Sequence, residues 1–476
     1  MTTSADRKLL GAYYTPDDLV TTVVDAVVTD DFVQRRRGRP IRVLDPACGD
    51  GRFLRAVEAG VRRRGGVVAL HGVDLDPSAV AQCRARMPGA AIDLDDALSR
   101  RWPADRYDLV IGNPPFLSQM AQRTTRGGKS RHGGGPYADA AVEFLALGAD
   151  LVDPDGGRLA LVLPQSVLSS RDAGPVRDRI DQRATMVWSW WAPERVFDAQ
   201  VHTCVVAFEF SSSRAGTGSR WTEVVTQRQG IPTLPAMLRS DGVLGDRATL
   251  NANFRDEYYG LVPAVGDHPA GPPLITSGLI DPGRSSWGQV PITFARRRFA
   301  RPRVALDLLD ARMTEWARRR LVPKVLVANQ TRIVEAVCDP GGAWLPGVPV
   351  VAVYPHGTHW DDDAPVRTSE ATAAAWQIAA VLTSGGASVW LWHRTAGTGL
   401  TATSMRVSPV VLADLPWPLG DLTPAVEALR SGDVRTCARL VDAAYGVEVT
   451  DGGSVVAAWW EASLDRIEAR QATRPA

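Results

Sequence analysis

Short apolar runs alternate with helix-spaced segments along the first part of the chain. Ile41–Asp45 is an apolar run that ends at a Gly-rich turn. In Arg52–Arg63, which follows, Phe53, Leu54, Val57 and Val61 recur at the spacing of one helical face. Val67–Asp74 predicts a second strand, Pro77–Arg86 a second helix and Tyr107–Gly112 a further strand. Ala138–Leu151 reads as a helix, Arg158–Pro164 as a buried strand and Val201–Phe210 as another β-rich run. Strands and helices alternating in this way predict an α/β fold, a mostly parallel sheet with helices on both faces.

The texture then changes. Ser211–Arg220 is rich in Ser and Gly and has no apolar periodicity, so it predicts a loop or linker. Further on, Gly and Pro recur, and short β-like runs stand at Val325–Ala328 and Val348–Tyr354. Pro424–Ala469 returns to helical patterning. Two domains are expected: residues 1–240, and residues 241–476 as a mixed α+β domain with a helical tail.

A length of 476 residues is too great for one ordinary core, which agrees with that division. No apolar run approaches the roughly 20 residues that span a bilayer. The first residues are polar and carry no signal-peptide core, so a cytoplasmic protein without a membrane partner is expected. Cys48, Cys83, Cys204, Cys338 and Cys437 form neither a CxxC pair nor a Cys/His cluster, which argues against disulfides and against a metal site. The net charge is only +1, and almost every basic residue is arginine. Arginine content therefore carries no argument, but its placement does.

The first candidate site lies at the Gly-rich turn. Val43–Phe53 (VLDPACGDGRF) sets that turn directly after a strand and before a helix. Gly49 and Gly51 let backbone approach a ligand, and ligands of open α/β sheets sit at the carboxyl ends of strands. Asp45, Ala47, Cys48 and Gly49 are the candidate contacts. The second strand ends in GVDLDP, where Asp74 stands in the place of an acid that bonds ribose hydroxyls, with Leu75 beside it. The plainer reading of Asp74 is a turn residue before a helix capped at Asp76–Pro77. Asp96, at the end of a third unit, is a candidate acceptor for an adenine amino group. The turn is not GxGxxG, so a dinucleotide site is not the expectation.

Ile111–Phe116 reads IGNPPF and comes straight after a strand. With GAYYTP at Gly11–Pro16 and DPACGDGRF at Asp45–Phe53, it makes the first half of the chain resemble the TaqI-type, gamma-class DNA adenine-N6 methyltransferases. The resemblance implies a Rossmann-like, S-adenosylmethionine-dependent methyltransferase domain followed by a target-recognition domain. It implies a site-specific DNA methyltransferase acting on adenine in double-stranded DNA. The setting would be restriction-modification or phage defence, with a separately encoded restriction endonuclease or other defence protein left open as a partner. Tyr14 and Thr15 would approach the methionine part of the cofactor. Asn113, Pro114, Pro115 and Phe116 would be catalytic, and Phe197 in RVFDAQVHT would offer a second aromatic face, or else lie in the core.

The residue types suit that chemistry. The exocyclic amine of adenine is a poor nucleophile, because its lone pair is delocalised into the ring. Two acceptors on its hydrogens, the Asn113 side-chain oxygen and the Pro114 carbonyl, hold it nearer tetrahedral geometry. Positioning then carries most of the catalysis. The base must leave the duplex, and Phe116 would stack on it. A glutamine side-chain amide is also a planar, delocalised amine, so a protein glutamine-N5 methyltransferase or an RNA methyltransferase stays open as an alternative, as does N4-cytosine transfer. A fused nuclease domain is not expected.

Residues 296–332 hold eleven basic residues against three acids, a net +8 in a chain of +1. Arg297, Arg318, Arg319, Arg320 and Lys324 are the candidate phosphate contacts, against the alternative of a solvated face. Leu321–Val334 and Leu412–Pro418 look like segments of target-recognition domains. Gln122–His132 adds Arg123, Arg126, Lys129 and Arg131 without an acid, and is expected to be a flap over DNA that is mobile when free.

Overall fold

A computed structural model describes residues 15–116, 130–135, 138–192, 202–212, 221–253, 255–358, 360–361, 364–365, 368–401, 403–447 and 454–472. The chain divides into two compact units, residues 1–225 and 226–476.

The first unit is built on one seven-stranded sheet. Its strands are β1 (Ile41–Asp45), β2 (Val68–Asp74), β3 (Ala91–Leu94), β4 (Leu109–Gly112), β5 (Arg158–Pro164), β6 (Ala184–Trp191) and β7 (Thr203–Phe210). Their order is β3-β2-β1-β4-β5-β7-β6. β1 to β5 run parallel, and β7 pairs antiparallel with both β5 and β6. This is the predicted Rossmann-like α/β sheet. β4 and β5 are buried along their whole length, as strands covered on both faces must be.

Helices α1 (Asp17–Val27), α2 (Asp30–Gln34), α3 (Arg52–Arg63), α4 (Pro77–Arg86), α5 (Ala140–Leu151) and α6 (Gly174–Asp181) belong to this unit. The sequence pattern does not assign α1. Its valines are β-branched and lower intrinsic helix propensity. Burial of Leu19, Val20, Val23, Val24 and Val27 on one face overrides that preference. Asp108, at the start of β4, joins the segment before β1 to the sheet. It accepts hydrogen bonds from Arg36 Nε at 2.8 Å, Arg39 Nη2 at 2.6 Å and the Arg42 N–H at 2.8 Å.

The second unit contains β8 (Ala248–Ala252), β9 (Ile292–Phe294), β10 (Arg297–Phe299), β11 (Lys324–Ala328), β12 (Ala336–Asp339) and β13 (Val350–Pro355). Four of these form an antiparallel sheet in the order β12-β11-β13-β8. Its helices include α7 (Ala311–Arg318), α8 (Ser369–Leu382), α9 (Gly385–Thr395), α10 (Thr423–Arg430), α11 (Val434–Ala444) and α12 (Val455–Ala472). The sequence suggests irregular structure where α8 and α9 stand. Ala and Gly there hide the periodicity, yet Thr368 and Ser384 cap the two N-termini through the Ala371 and Ala387 N–H groups at 3.0 and 3.1 Å.

All five cysteines are buried and none is in a disulfide. Among the described residues no helix is long and apolar enough to cross a membrane, and no cluster of three or more metal-ligating side chains occurs.

Candidate active site

Parallel strands end on one edge of a sheet, and the sequence puts its acids there. Asp45 closes β1, Asp74 closes β2, Asp96 lies just beyond β3 and Asn113 just beyond β4. These strands are neighbours in the sheet, so four separate sequence motifs meet along one rim.

The Gly-rich turn is shaped by two left-handed glycines, Gly49 at φ 52° and Gly51 at φ 83°. A Cβ on Gly51 would stand 2.7 Å from Cys83 Sγ, whereas one on Gly49 would meet nothing within 4 Å. The turn is thus closed toward helix α4 and open toward solvent at Gly49. Asp74 fixes it from β2, accepting the Gly49 N–H at 2.7 Å and the Asp76 N–H at 2.9 Å. The Cys48 N–H donates to the Val73 carbonyl at 2.9 Å, so that residue locks the turn through its backbone while its thiol is buried.

Asp45 is fully buried and accepts the Ala47 N–H at 3.1 Å. Burial pushes its carboxyl well above the usual range, and the Asp74 charge adds to the effect. Burial also raises Asp74, against the pull of its backbone N–H donors. Gly112 explains how β1 and β4 come so close: a Cβ there would lie 2.4 Å from Asp45 Oδ1. Sequence reasoning misses Gly112, although a glycine inside an otherwise apolar strand signals such an approach.

Leu75 is exposed at the end of β2, and Leu94 stands equally exposed at the end of β3. Together they leave apolar surface beside the carboxylates, and Leu94 too is a residue that the motifs do not point to. Asp96 is less available than expected. Its Oδ1 accepts the Leu98 N–H at 3.0 Å and its Oδ2 the Ser99 hydroxyl at 2.6 Å, so it builds a local turn.

Asn113 is half-buried, and its Nδ2 donates to the Thr15 hydroxyl oxygen at 3.0 Å. Thr15 is itself buried, and its carbonyl accepts from Arg52 Nη1 at 3.1 Å. Two residues singled out in different motifs, 98 positions apart, are thereby joined. Pro114 is buried, while Pro115 and Phe116 are half-buried, with Phe116 packed against the core of the unit. Tyr14, Phe197, Arg123, Arg126 and Lys129 lie outside the described residues.

Of that basic loop only residues 130–132 are described, and they are hydrogen-bonded to α5. Buried Glu143 on α5 accepts the N–H groups of Arg131 and His132 at 2.9 and 3.1 Å, and a hydrogen bond from Ser130. The Arg131 side chain remains exposed.

The basic stretch of the second unit sorts into two groups. Arg297, Arg318 and Arg319 are exposed, with Arg319 paired to Glu315 at 2.6 Å across one helical turn. Arg320 is half-buried over the Trp316 ring at 4.3 Å. Lys324 is a correction: it is fully buried in β11, 2.6 Å from Asp339, and cannot touch a phosphate. Arg332 is likewise half-buried and donates to Gln229 and Ser463. Neither residue adds to a basic surface, so the net charge counted from sequence overstates it.

Residues 1–215 match the N-6 DNA methylase family. A type II methyltransferase of Paramecium bursaria Chlorella virus XZ-6E is 28% identical over 180 residues, 37% of this chain and 42% of that protein. A type II methyltransferase of Thermus thermophilus is 33% identical over 118 residues, 24% of this chain and 23% of that one. Another, of Aneurinibacillus aneurinilyticus, is 28% identical over 134 residues, 23% of each. The matched stretches span less than half the length of each relative.

Proposed function

We propose, from the match of residues 1–215 to the N-6 DNA methylase family, that this chain methylates N6 of a flipped-out adenine at a specific site in duplex DNA, within a restriction-modification setting. The observation that carries the reading is the Thr15–Asn113 hydrogen bond on the rim that also holds Asp45 and Asp74.

S-adenosylmethionine fits this rim as methyl donor. The half-buried Asp74 carboxylate suits its hydroxyl groups, exposed Leu75 and Leu94 suit its adenine face, and the open side of Gly49 leaves room for it. When bound it supplies a methyl group on an electrophilic sulfonium. Asp74 and the turn at residues 47–51 would bind it.

The chain's own work is positioning. Thr15 orients the Asn113 amide, so that Oδ1 and the Pro114 carbonyl accept from the two hydrogens of the target amine. Those bonds return the lone pair to nitrogen, and they strengthen as positive charge develops there. The surplus proton passes to water, so no strong base is needed. Pro114 and Pro115 stiffen the loop that carries both acceptors. Phe116, half-buried at the end of that loop, would stack on the base. The second unit, with exposed Arg297, Arg318 and Arg319, would choose the DNA site. The partner class this implies is a separately encoded restriction endonuclease.

Methylation-sensitive sequencing of DNA from cells expressing the chain tests the reading. N6-methyladenine at a defined motif, lost with Asn113→Ala, is the expected result. A purified chain that methylates a protein glutamine and no DNA would overturn it.

A further inference from the structure

A hairpin of the second unit holds its tip in a conformation that its residues disfavour. β9 and β10 pair antiparallel, with Phe294 opposite Arg297. The two residues between them, Ala295 at φ 48° and Arg296 at φ 64°, are the only non-glycine residues with positive φ among those described. A two-residue hairpin tip with both residues left-handed is a type I′ turn, which strongly prefers Asn-Gly. Each Cβ at such a tip crowds the backbone.

The rest of the hairpin is built to hold that tip still. Ile292, Phe294 and Phe299 are buried in the core of the unit. The Tyr258 ring packs on Phe294 at 4.8 Å, and its hydroxyl accepts the Ala295 N–H at 3.1 Å. At the foot, Asp267 accepts the N–H groups of Ala300 and Arg301 at 3.0 and 2.6 Å. What this rooted hairpin presents is three consecutive exposed arginines, Arg296, Arg297 and Arg298. None of the three has an ion-pair partner among the described residues.

Phosphate binding alone does not need such a frame, because a flexible arginine loop neutralises phosphates equally well. Strain that the fold actively maintains points to a side chain whose position matters. A two-stranded ribbon fits the major groove of B-DNA, roughly 12 Å wide, and an arginine fork there bonds O6 and N7 of guanine together.

We propose that the β9–β10 hairpin enters the major groove of the DNA substrate and that Arg296 reads a guanine, which makes it a specificity-determining residue. The inference rests on the DNA-methylation reading above. Arg298 lies on the face of β10 away from buried Phe294 and Phe299 and would meet a phosphate beside it, while exposed Arg297 shares the face of those rings, its guanidinium 5.3 Å from the Phe299 ring centre.

The test compares the full chain with Arg296→Ala and with the double variant Ala295→Asn, Arg296→Gly, whose tip suits the turn and secures folding. Methylation-sensitive sequencing gives the motif of each, and kinetics on duplexes of the parent motif gives kcat/KM. Both variants should relax the motif at one guanine, with preference over other bases there reduced about tenfold to a hundredfold. In the parent, 7-deazaguanine at that position should reproduce the loss, and it should add nothing in the variants. An unchanged motif, or a uniform loss of activity with the motif intact, overturns the hairpin proposal while leaving DNA methylation standing. If the parent marks no DNA at all, the underlying reading has failed and this proposal falls with it.

Discussion

Asn113 donates through Nδ2 to the hydroxyl oxygen of Thr15 at 3.0 Å, so the loop after β4 is aimed by a residue that precedes α1. Asn113→Ala should lower kcat for methyl transfer about a hundredfold or more, because it removes a group that acts on developing charge. S-adenosylmethionine affinity should stay near that of the parent. Thr15→Val keeps the shape and removes the acceptor, and one lost hydrogen bond of about 1 kcal/mol predicts roughly a fivefold drop in kcat. Single-turnover rates with calorimetry on the cofactor decide it. An equal loss of cofactor affinity in Asn113→Ala would make Asn113 a structural residue.

Gly49 and Gly112 serve different purposes and should fail differently. A side chain at Gly49 has open space, and Asn tolerates a left-handed backbone. Gly49→Asn should therefore fold with an unchanged Tm and lose cofactor affinity at least about tenfold, since the new side chain fills the room needed by the ligand. Gly112→Ala instead drives a methyl against Asp45 and should cost about 1–3 kcal/mol of stability as well as cofactor binding. A Gly49→Asn protein that binds the cofactor normally would show that the turn is not the cradle.

Asp442 on α11 gives the second unit a pH dependence. Its Oδ1 accepts the Gly386 N–H at 2.7 Å at the start of α9, and burial pushes its carboxyl up to about 7 against the pull of the Gly386 and Gly385 N–H groups. The unfolded chain titrates this group near its ordinary value of 3.8. Between those values the native state holds a proton that the unfolded state has lost. Stability from this group is thus full below about pH 4, falls as pH rises, and levels off above about pH 7. Asp442→Asn mimics the protonated form. Its Tm relative to the parent should rise between pH 5 and pH 8, since one pKa unit is worth about 1.4 kcal/mol. A constant Tm difference over that range would mean Asp442 titrates normally.

Legibility in the sequence follows the physics of each element. β1, α3, α4 and β5 are bounded correctly from the pattern, because turn signals bracket a clear apolar period in each. α1 and α9 escape it, since Val-rich and Gly-led helices are set by tertiary burial rather than propensity. The rim acids are visible because each follows a strand. The role of Gly112 is not, because it depends on the close approach of β1 and β4 that only the sheet order creates. Lys324 fails for a related reason. A run of charges says nothing about which member alternates inward, and its partner Asp339 lies on the neighbouring strand β12.

Inward Lys324 and the exposed arginines are two kinds of cation and should fail differently. Lys324 Nζ sits 2.6 Å from Asp339 Oδ2 and 3.2 Å from the Val322 carbonyl, with no exposed surface. Lys324→Met strands the Asp339 charge, although the Ala343 and Trp344 N–H groups, each at 2.9 Å, still support it. The expected cost is about 3–5 kcal/mol, and Lys324→Met with Asp339→Asn should recover part of it. The folded double variant should bind DNA with the same salt dependence as the parent. Arg297, Arg318 and Arg319 are exposed, so replacing all three by Gln should leave Tm nearly unchanged. The slope of log affinity against log salt should then become shallower by about 0.9 for each phosphate that is no longer neutralised. Fluorescence anisotropy over a salt series measures both slopes. A shallower slope in the lysine double variant, or an unchanged one in the arginine triple variant, would reverse the assignment of which cations face the DNA.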